Sequence, residues 1–170
     1  MRVLPLAGLL AAAAFLGGCA LAGCDTVGLD RPPEPEPGVR PWAEMLGAVN
    51  RARKAGGTCG GDRVAPAPAL VWDSRLERAA RDHARDMARH GYLSHRDRAG
   101  RGTGERVRDA GYRWRLVGEN LARHQTSVDQ VVGDWLASES HCRMLLGADF
   151  VEIGAAEEGG YWVQVFGVPR

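Results

Sequence analysis

Between Asp73 and Gly91 the chain reads DSRLERAARDHARDMARHG, and Leu76, Ala79, Ala80, His83, Ala84 and Met87 recur at the three- and four-residue spacing of one helix face. Asp73 or Ser74 can cap its start and Gly91 can end it. A helix this long with one apolar stripe must lay that stripe on a core. Two segments near the C-terminus can supply one. Phe150–Ala156 and Tyr161–Phe166 read as strands joined by the hairpin-like Glu157-Glu158-Gly159-Gly160, so an antiparallel pair is expected.

The remaining segments follow the same reading. Residues 41–55 form a helix with Pro41 at its first position and Met45, Leu46, Val49 and Ala52 on one face, stopped by Gly56-Gly57. The next stretch, TCGGDRVAPAPAL, holds too many Gly and Pro for regular structure. Thr103 is the expected cap of a short helix GERVRDAG. A capping box would need an acid or Gln where Arg106 stands, so Glu105 helps only through the helix dipole. Leu116–Ala122 reads as a strand. Ser127 caps SVDQVVGDWLAS, whose buried face is Val128, Val131, Val132, Trp135 and Leu136, and HCRMLLG adds a short helical turn. Trp72, Trp114, Trp135 and Trp162 are expected as core anchors.

The N-terminal segment bears on compartment. Residues 1–24 place one Arg before an apolar run with small residues, the layout of a secretory signal, too short to span a membrane comfortably. LGGC and LAGC resemble the bacterial lipobox, so Cys24 or Cys19 is the expected lipidation site, and lipid would be the only membrane attachment. Residues 25–40, rich in Pro and charge, read as a semi-extended linker. The expected localisation is therefore the cell envelope, as an anchored lipoprotein facing the periplasm or the outer surface, or secreted. With a formal net charge of +1 and arginines interspersed with acids, no basic field points to nucleic acid.

Export also decides how the cysteines are read. Cys59 and Cys142 remain in the body of the chain, in a compartment where disulfides persist, and a bridge between them is expected to stabilise the fold by roughly 3 to 5 kcal/mol. The competing reading makes Cys142 a nucleophile beside His141. Sequence adjacency does not build a Cys–His dyad, so it ranks lower.

Three polar residues stand where local structure would not choose them: His95 in a loop, Glu119 in the strand, and His141 after a helix. If Val117 and Leu121 face the interior, Glu119 faces it too, and an ionised carboxylate there needs cationic or donor partners such as histidines. His83 reads as a hydrogen-bonded packing histidine. Asn120 and Gln164 are in-strand polar groups, the first expected to tie backbone and the second to abut the cleft or a buried water. Ser94-His95 and Ser140-His141 invite a serine-hydrolase reading, but no GxSxG element accompanies them.

Taken in order, HARDM (83–87), SHRDRAG (94–100), GYRW (111–114), GENLA (118–122), WLASESHC (135–142) and YWVQVFG (161–167) resemble the CAP superfamily of cysteine-rich secretory, antigen and pathogenesis-related proteins, in its bacterial exported form. The resemblance runs from about Met45 to Gly167 and implies an α+β fold, an α-β-α sandwich with a central antiparallel sheet, as a single domain over 41–170. It also implies a cleft that gathers histidines and glutamates, with a divalent metal in some members. By position, His95 matches the family's first histidine and Glu119 the glutamate of its GEN motif. The eukaryotic second glutamate falls on Ser138 and the second histidine on Tyr161, while His141 matches the S-x-x-H histidine of bacterial members. His95 and His141, with Glu119 nearby, would offer Zn²⁺ two protein ligands, a weak and exchangeable site. The expected function is a binding module for an envelope component, a lipid-like ligand or a protein. The rivals are a hydrolase of peptide or ester bonds using a metal-bound or histidine-activated water, and a structural envelope protein without turnover.

Overall fold

The structure is a computed structural model that describes residues 41–170. The expected signal segment with Cys19 and Cys24, and the expected linker of residues 25–40, lie outside the described residues. In chain order the elements are α1 (Pro41–Ala55), β1 (Gly57–Cys59), β2 (Asp62–Val64), β3 (Val71–Trp72), α2 (Ser74–His90), α3 (Thr103–Asp109), β4 (Trp114–Arg123), α4 (Val128–Ala137), α5 (Glu139–Leu146), β5 (Glu152–Glu158) and β6 (Tyr161–Pro169).

Local chemistry sets the ends of α2. The Asp73 carboxylate accepts from the Arg75 and Leu76 amides at 2.8 and 3.2 Å. At the other end Gly91 turns left-handed at φ 69° and returns its N–H to Met87. The predicted stripe of α2 is buried, and it packs with Tyr112, Leu121, Val163 and Val165 on one face of the sheet. On the other face α1 (Met45, Val49), α4 (Val131, Val132, Trp135) and α5 (Leu145, Leu146) cover Ile153, Ala155 and Phe166. The result is the α-β-α sandwich, α+β in class, with each layer built from an amphipathic face.

The main sheet runs β3-β5-β6-β4. The β5–β6 and β6–β4 pairs are antiparallel. β3, two residues long, adds a parallel edge that the sequence reading lacked. Strand β4 is the opposite edge, with Glu119 beside Val165 and Asn120 beside Gln164. Side chains alternate, so Val117, Glu119 and Leu121 face α2 and α3, while Asn120 and Ala122 face α4 and α5.

Several expectations change. The Gly/Pro stretch after residue 57 is partly regular: β1 and β2 form a hairpin, because Gly60 and Gly61 both adopt positive φ (60° and 97°) and close a two-residue turn. The cap of α3 is Gly102, not Thr103. Its N–H donates to the Glu105 carboxylate at 2.9 Å, so half of a capping box forms where none was expected. The β5–β6 turn is only Gly159-Gly160, both at positive φ, and the flanking glutamates close β5. Of the expected core tryptophans only Trp135 is fully buried; Trp72, Trp114 and Trp162 are half-buried.

Candidate functional site

Glu119 answers the demand that its burial creates. Its side chain is 2% exposed, and both carboxylate oxygens are bonded: Oε1 to His95 Nδ1 at 2.8 Å and Oε2 to Arg106 Nη2 at 2.7 Å. Burial alone would raise its pKa. The His95 hydrogen bond, the Arg106 charge and the nearby His83 outweigh it and hold the carboxyl below the usual glutamate range.

The loop that carries His95 is held from two directions. From α2, His83 Nε2 lies 2.8 Å from the Ser94 carbonyl; a carbonyl only accepts, so Nε2 carries the proton. Burial first, then the Arg106 charge, pushes the His83 pKa down, which favours the neutral ring over the imidazolium. From α3, Arg106 Nη1 donates to the carbonyls of His95 and Arg101 at 2.9 and 2.8 Å. Within the loop the buried Asp97 carboxylate accepts from the Ala99 and Arg101 amides and from the Arg101 side chain. His95 is thus oriented on a rigid support. With Nδ1 donating to Glu119, Nε2 is the ring nitrogen left without a partner, on a side chain that is 59% exposed.

His141 reaches the same edge of the sheet from the other layer. Asn120 Nδ2 donates to its backbone carbonyl at 3.2 Å and to Gln164 Oε1 at 3.2 Å, which ties the first turn of α5 to β4. Among the described residues the His141 imidazole has no hydrogen-bond partner. Its pKa is lowered by burial and then by the charge of His95, so the two rings share an electrostatic neighbourhood. Adjacent residues of β4 therefore each hold one histidine: Glu119 holds the His95 ring, and Asn120 holds the His141 backbone.

The other candidates fall elsewhere. Cys142 is bridged to Cys59, with Cα atoms 5.6 Å apart and both residues buried, which removes it as a nucleophile. Ser138 sits at the α4–α5 junction. Tyr161 is buried on the α2 face beneath the Arg123 guanidinium. Glu139, the neighbour of Ser138, pairs with Arg143. The Ser94 hydroxyl accepts from the Arg96 amide. Gln164 is fully buried; it accepts from Asn120 Nδ2 and donates to Met45 Sδ at 3.6 Å. Arg106 is the residue that sequence reasoning missed. The signal was the cation that a buried Glu119 requires, but a chain with so many arginines does not say which one.

Comparison with known proteins places this geometry. The cysteine-rich secretory protein family model matches residues 46–166. The chain belongs to the CAP family. Two relatives from Bacillus subtilis (strain 168) are similar: the uncharacterized protein YkwD at 30% identity over 57% of this chain and 38% of that protein, and the uncharacterized membrane protein YlbC at 29% over 57% and 28%. The CAP chain thus spans well under half the length of these curated relatives. Among solved structures, an extracellular SCP-domain protein from Bacillus anthracis matches with TM-score 0.64 and 25% identity over 74% of this chain and 39% of that one. An outer surface protein from Borrelia burgdorferi shares the fold, with TM-score 0.62 and 21% identity over 76% and 92%. No helix among the described residues is long and apolar enough to cross a membrane.

The donor set of this CAP domain limits what metal it fits. Among the described residues no group of three or more His, Cys, Asp or Glu side chains could hold a metal ion. Both Glu119 oxygens are taken by His95 and Arg106, so Glu119 positions the His95 ring and has no oxygen left for a metal.

Proposed function

We propose that this CAP domain is an exported, lipid-anchored binding module that engages an envelope or lipid-like ligand at the edge shared by His95 and His141. The observation that carries the reading is the pairing of commitment and freedom. Glu119 fixes the His95 ring and Arg106 its backbone carbonyl, while the ring's Nε2 and the whole His141 imidazole stay open to a ligand. Preorganised groups of this kind lose little freedom on binding. His95 and His141 are the residues that would hold a divalent ion such as Zn²⁺, which would supply a Lewis-acid contact to the ligand. Calorimetry with Zn²⁺ on the full chain tests this part: binding is expected in the wild type and is lost in both His95→Ala and His141→Ala. Equal binding in all three would remove the metal from the reading. Mass spectrometry of the mature N-terminus tests the anchor, with a diacyl modification expected on Cys24 or Cys19.

A hydrolase reading draws on the same pair, because a histidine held through Nδ1 by a carboxylate has Nε2 free to take a proton from water. It requires turnover of a peptide or ester that Glu119→Gln abolishes while the domain stays folded. If cleft variants change only the melting temperature, the cluster is structural.

A further inference from the structure

We propose that the corner formed by residues 91–102, α3 and the start of β4 is a docking surface for an anionic lipid bilayer. Hydrogen bonds join the three segments into one unit. Arg106 Nη1 ties α3 to the loop carbonyls of His95 and Arg101, and Arg101 Nη1 reaches the Asp109 carboxylate at 2.8 Å. Trp114 Nε1 of β4 and Arg108 Nε of α3 both donate to the Gly104 carbonyl, at 2.9 and 3.2 Å. The surface needs no metal and stands apart from the His95–His141 reading.

Pairing sorts charges that the sequence intersperses. Arg101 lies between Asp97 and Asp109, and Arg106 is taken by Glu119. That leaves Arg96, Arg98, Arg108, Arg113 and Arg115, all exposed, against the one further carboxylate of Glu105, which accepts from the Gly102 amide. Arg96 and Arg108 donate only to backbone carbonyls, and Arg98, Arg113 and Arg115 have no partner among the described residues. From Val128 to Glu158 the balance reverses, with seven acids against Arg143 alone, so a chain of near-neutral total charge concentrates its positive charge at this corner. The corner also holds Leu93, 50% exposed, and Leu116, 38% exposed, apolar groups that a purely polar anion would leave in water. The five arginines are spread over three segments rather than converging on one point, as a single bound phosphate would require. A bilayer of acidic lipids meets spread charge with charge and takes aliphatic side chains below its headgroups.

Co-sedimentation of the full chain with vesicles of phosphatidylcholine alone, and of phosphatidylcholine mixed with phosphatidylglycerol, tests the surface. The readout is the ratio between the two vesicle types, because the apolar N-terminal segment contributes to both. Binding roughly tenfold or more stronger to the anionic vesicles is expected, and it falls as salt is added. Arg98→Gln/Arg113→Gln/Arg115→Gln breaks no contact and is expected to remove most of that preference. The same loss of charge on α1 and β2, in Arg51→Gln/Lys54→Gln/Arg63→Gln, is expected to remove little of it. Leu93→Gln/Leu116→Gln is expected to weaken vesicle binding severalfold while leaving retention on heparin unchanged. No preference for anionic vesicles, equal losses in the two triple variants, or indifference to the leucine pair, which would assign the surface to a soluble polyanion, would each overturn the proposal. Loss of the preference in His95→Ala would do so too, by moving the lipid to the cleft. Circular dichroism confirms that each variant compared is folded.

Discussion

His95 Nδ1 stands 2.8 Å from Glu119 Oε1, and this contact turns a buried acid in a strand into the support of an exposed ring. The other Glu119 oxygen is held by Arg106, itself only 7% exposed, so the three residues form one hydrogen-bonded unit at the edge of the sheet.

Breaking that unit from either side leaves a buried charge unmatched. Glu119→Gln and Arg106→Met are each expected to cost about 3 kcal/mol in urea unfolding, and the double variant clearly less than the sum. An additive pair would show that the two side chains do not depend on each other.

Acid sensitivity follows from His83. Its folded pKa lies below the unfolded 6.5, because burial and the Arg106 charge disfavour the imidazolium. The unfolded chain therefore binds more protons in this window. Stability is complete above 6.5 and falls as pH drops through 6.5 toward the lowered value. Melting temperatures recorded across this range should show a shallower slope for His83→Gln, with part of the slope retained by His141, whose pKa is lowered as well.

The Cys59–Cys142 bridge closes a loop of 83 residues and joins β1 to α5, the helix that bears His141. Its removal in Cys59→Ala/Cys142→Ala is expected to destabilise the domain by about 4.5 kcal/mol in the chain-entropy model. Denaturant unfolding measures the loss, and a Zn²⁺ titration of the folded variant shows whether His141 keeps its place.

Gly154 marks where α2 meets β5. A Cβ there would overlap the backbone of Leu76 and Glu77, which cannot move without lifting the start of α2 off the sheet. Gly154→Ala is therefore expected to cost about 3 kcal/mol through overpacking, read as a lower urea midpoint with unchanged slope.

Much of the fold was legible because its causes are local. The stripe and caps of α2, the span of α1, the Ser127 cap of α4 and the strand alternation around Glu119 each follow from a few consecutive residues. β3 was not legible: two residues carry no periodicity, and Val71-Trp72 becomes a strand only because β5 lies beside it. The β1–β2 hairpin hid behind glycines that read as irregular until both proved to occupy one turn. Trp72 and Trp162 read as core from their apolarity, yet they line a groove, since helical and strand phase give a face but not what covers it.

The same division runs through the site. Sequence alone determined that Glu119 must face inward and must be matched by donors, because side-chain alternation and the cost of a buried charge are properties of the strand itself. Only the tertiary structure decided that Arg106 is the match, that Glu119 holds the His95 ring while Asn120 holds His141 by its backbone, and that Cys142 is closed off in a bridge. Those outcomes depend on which loop and which helix arrive at the edge of β4 from opposite layers of the sandwich. That meeting is set by the packing of whole faces rather than by the residues on either side of Glu119.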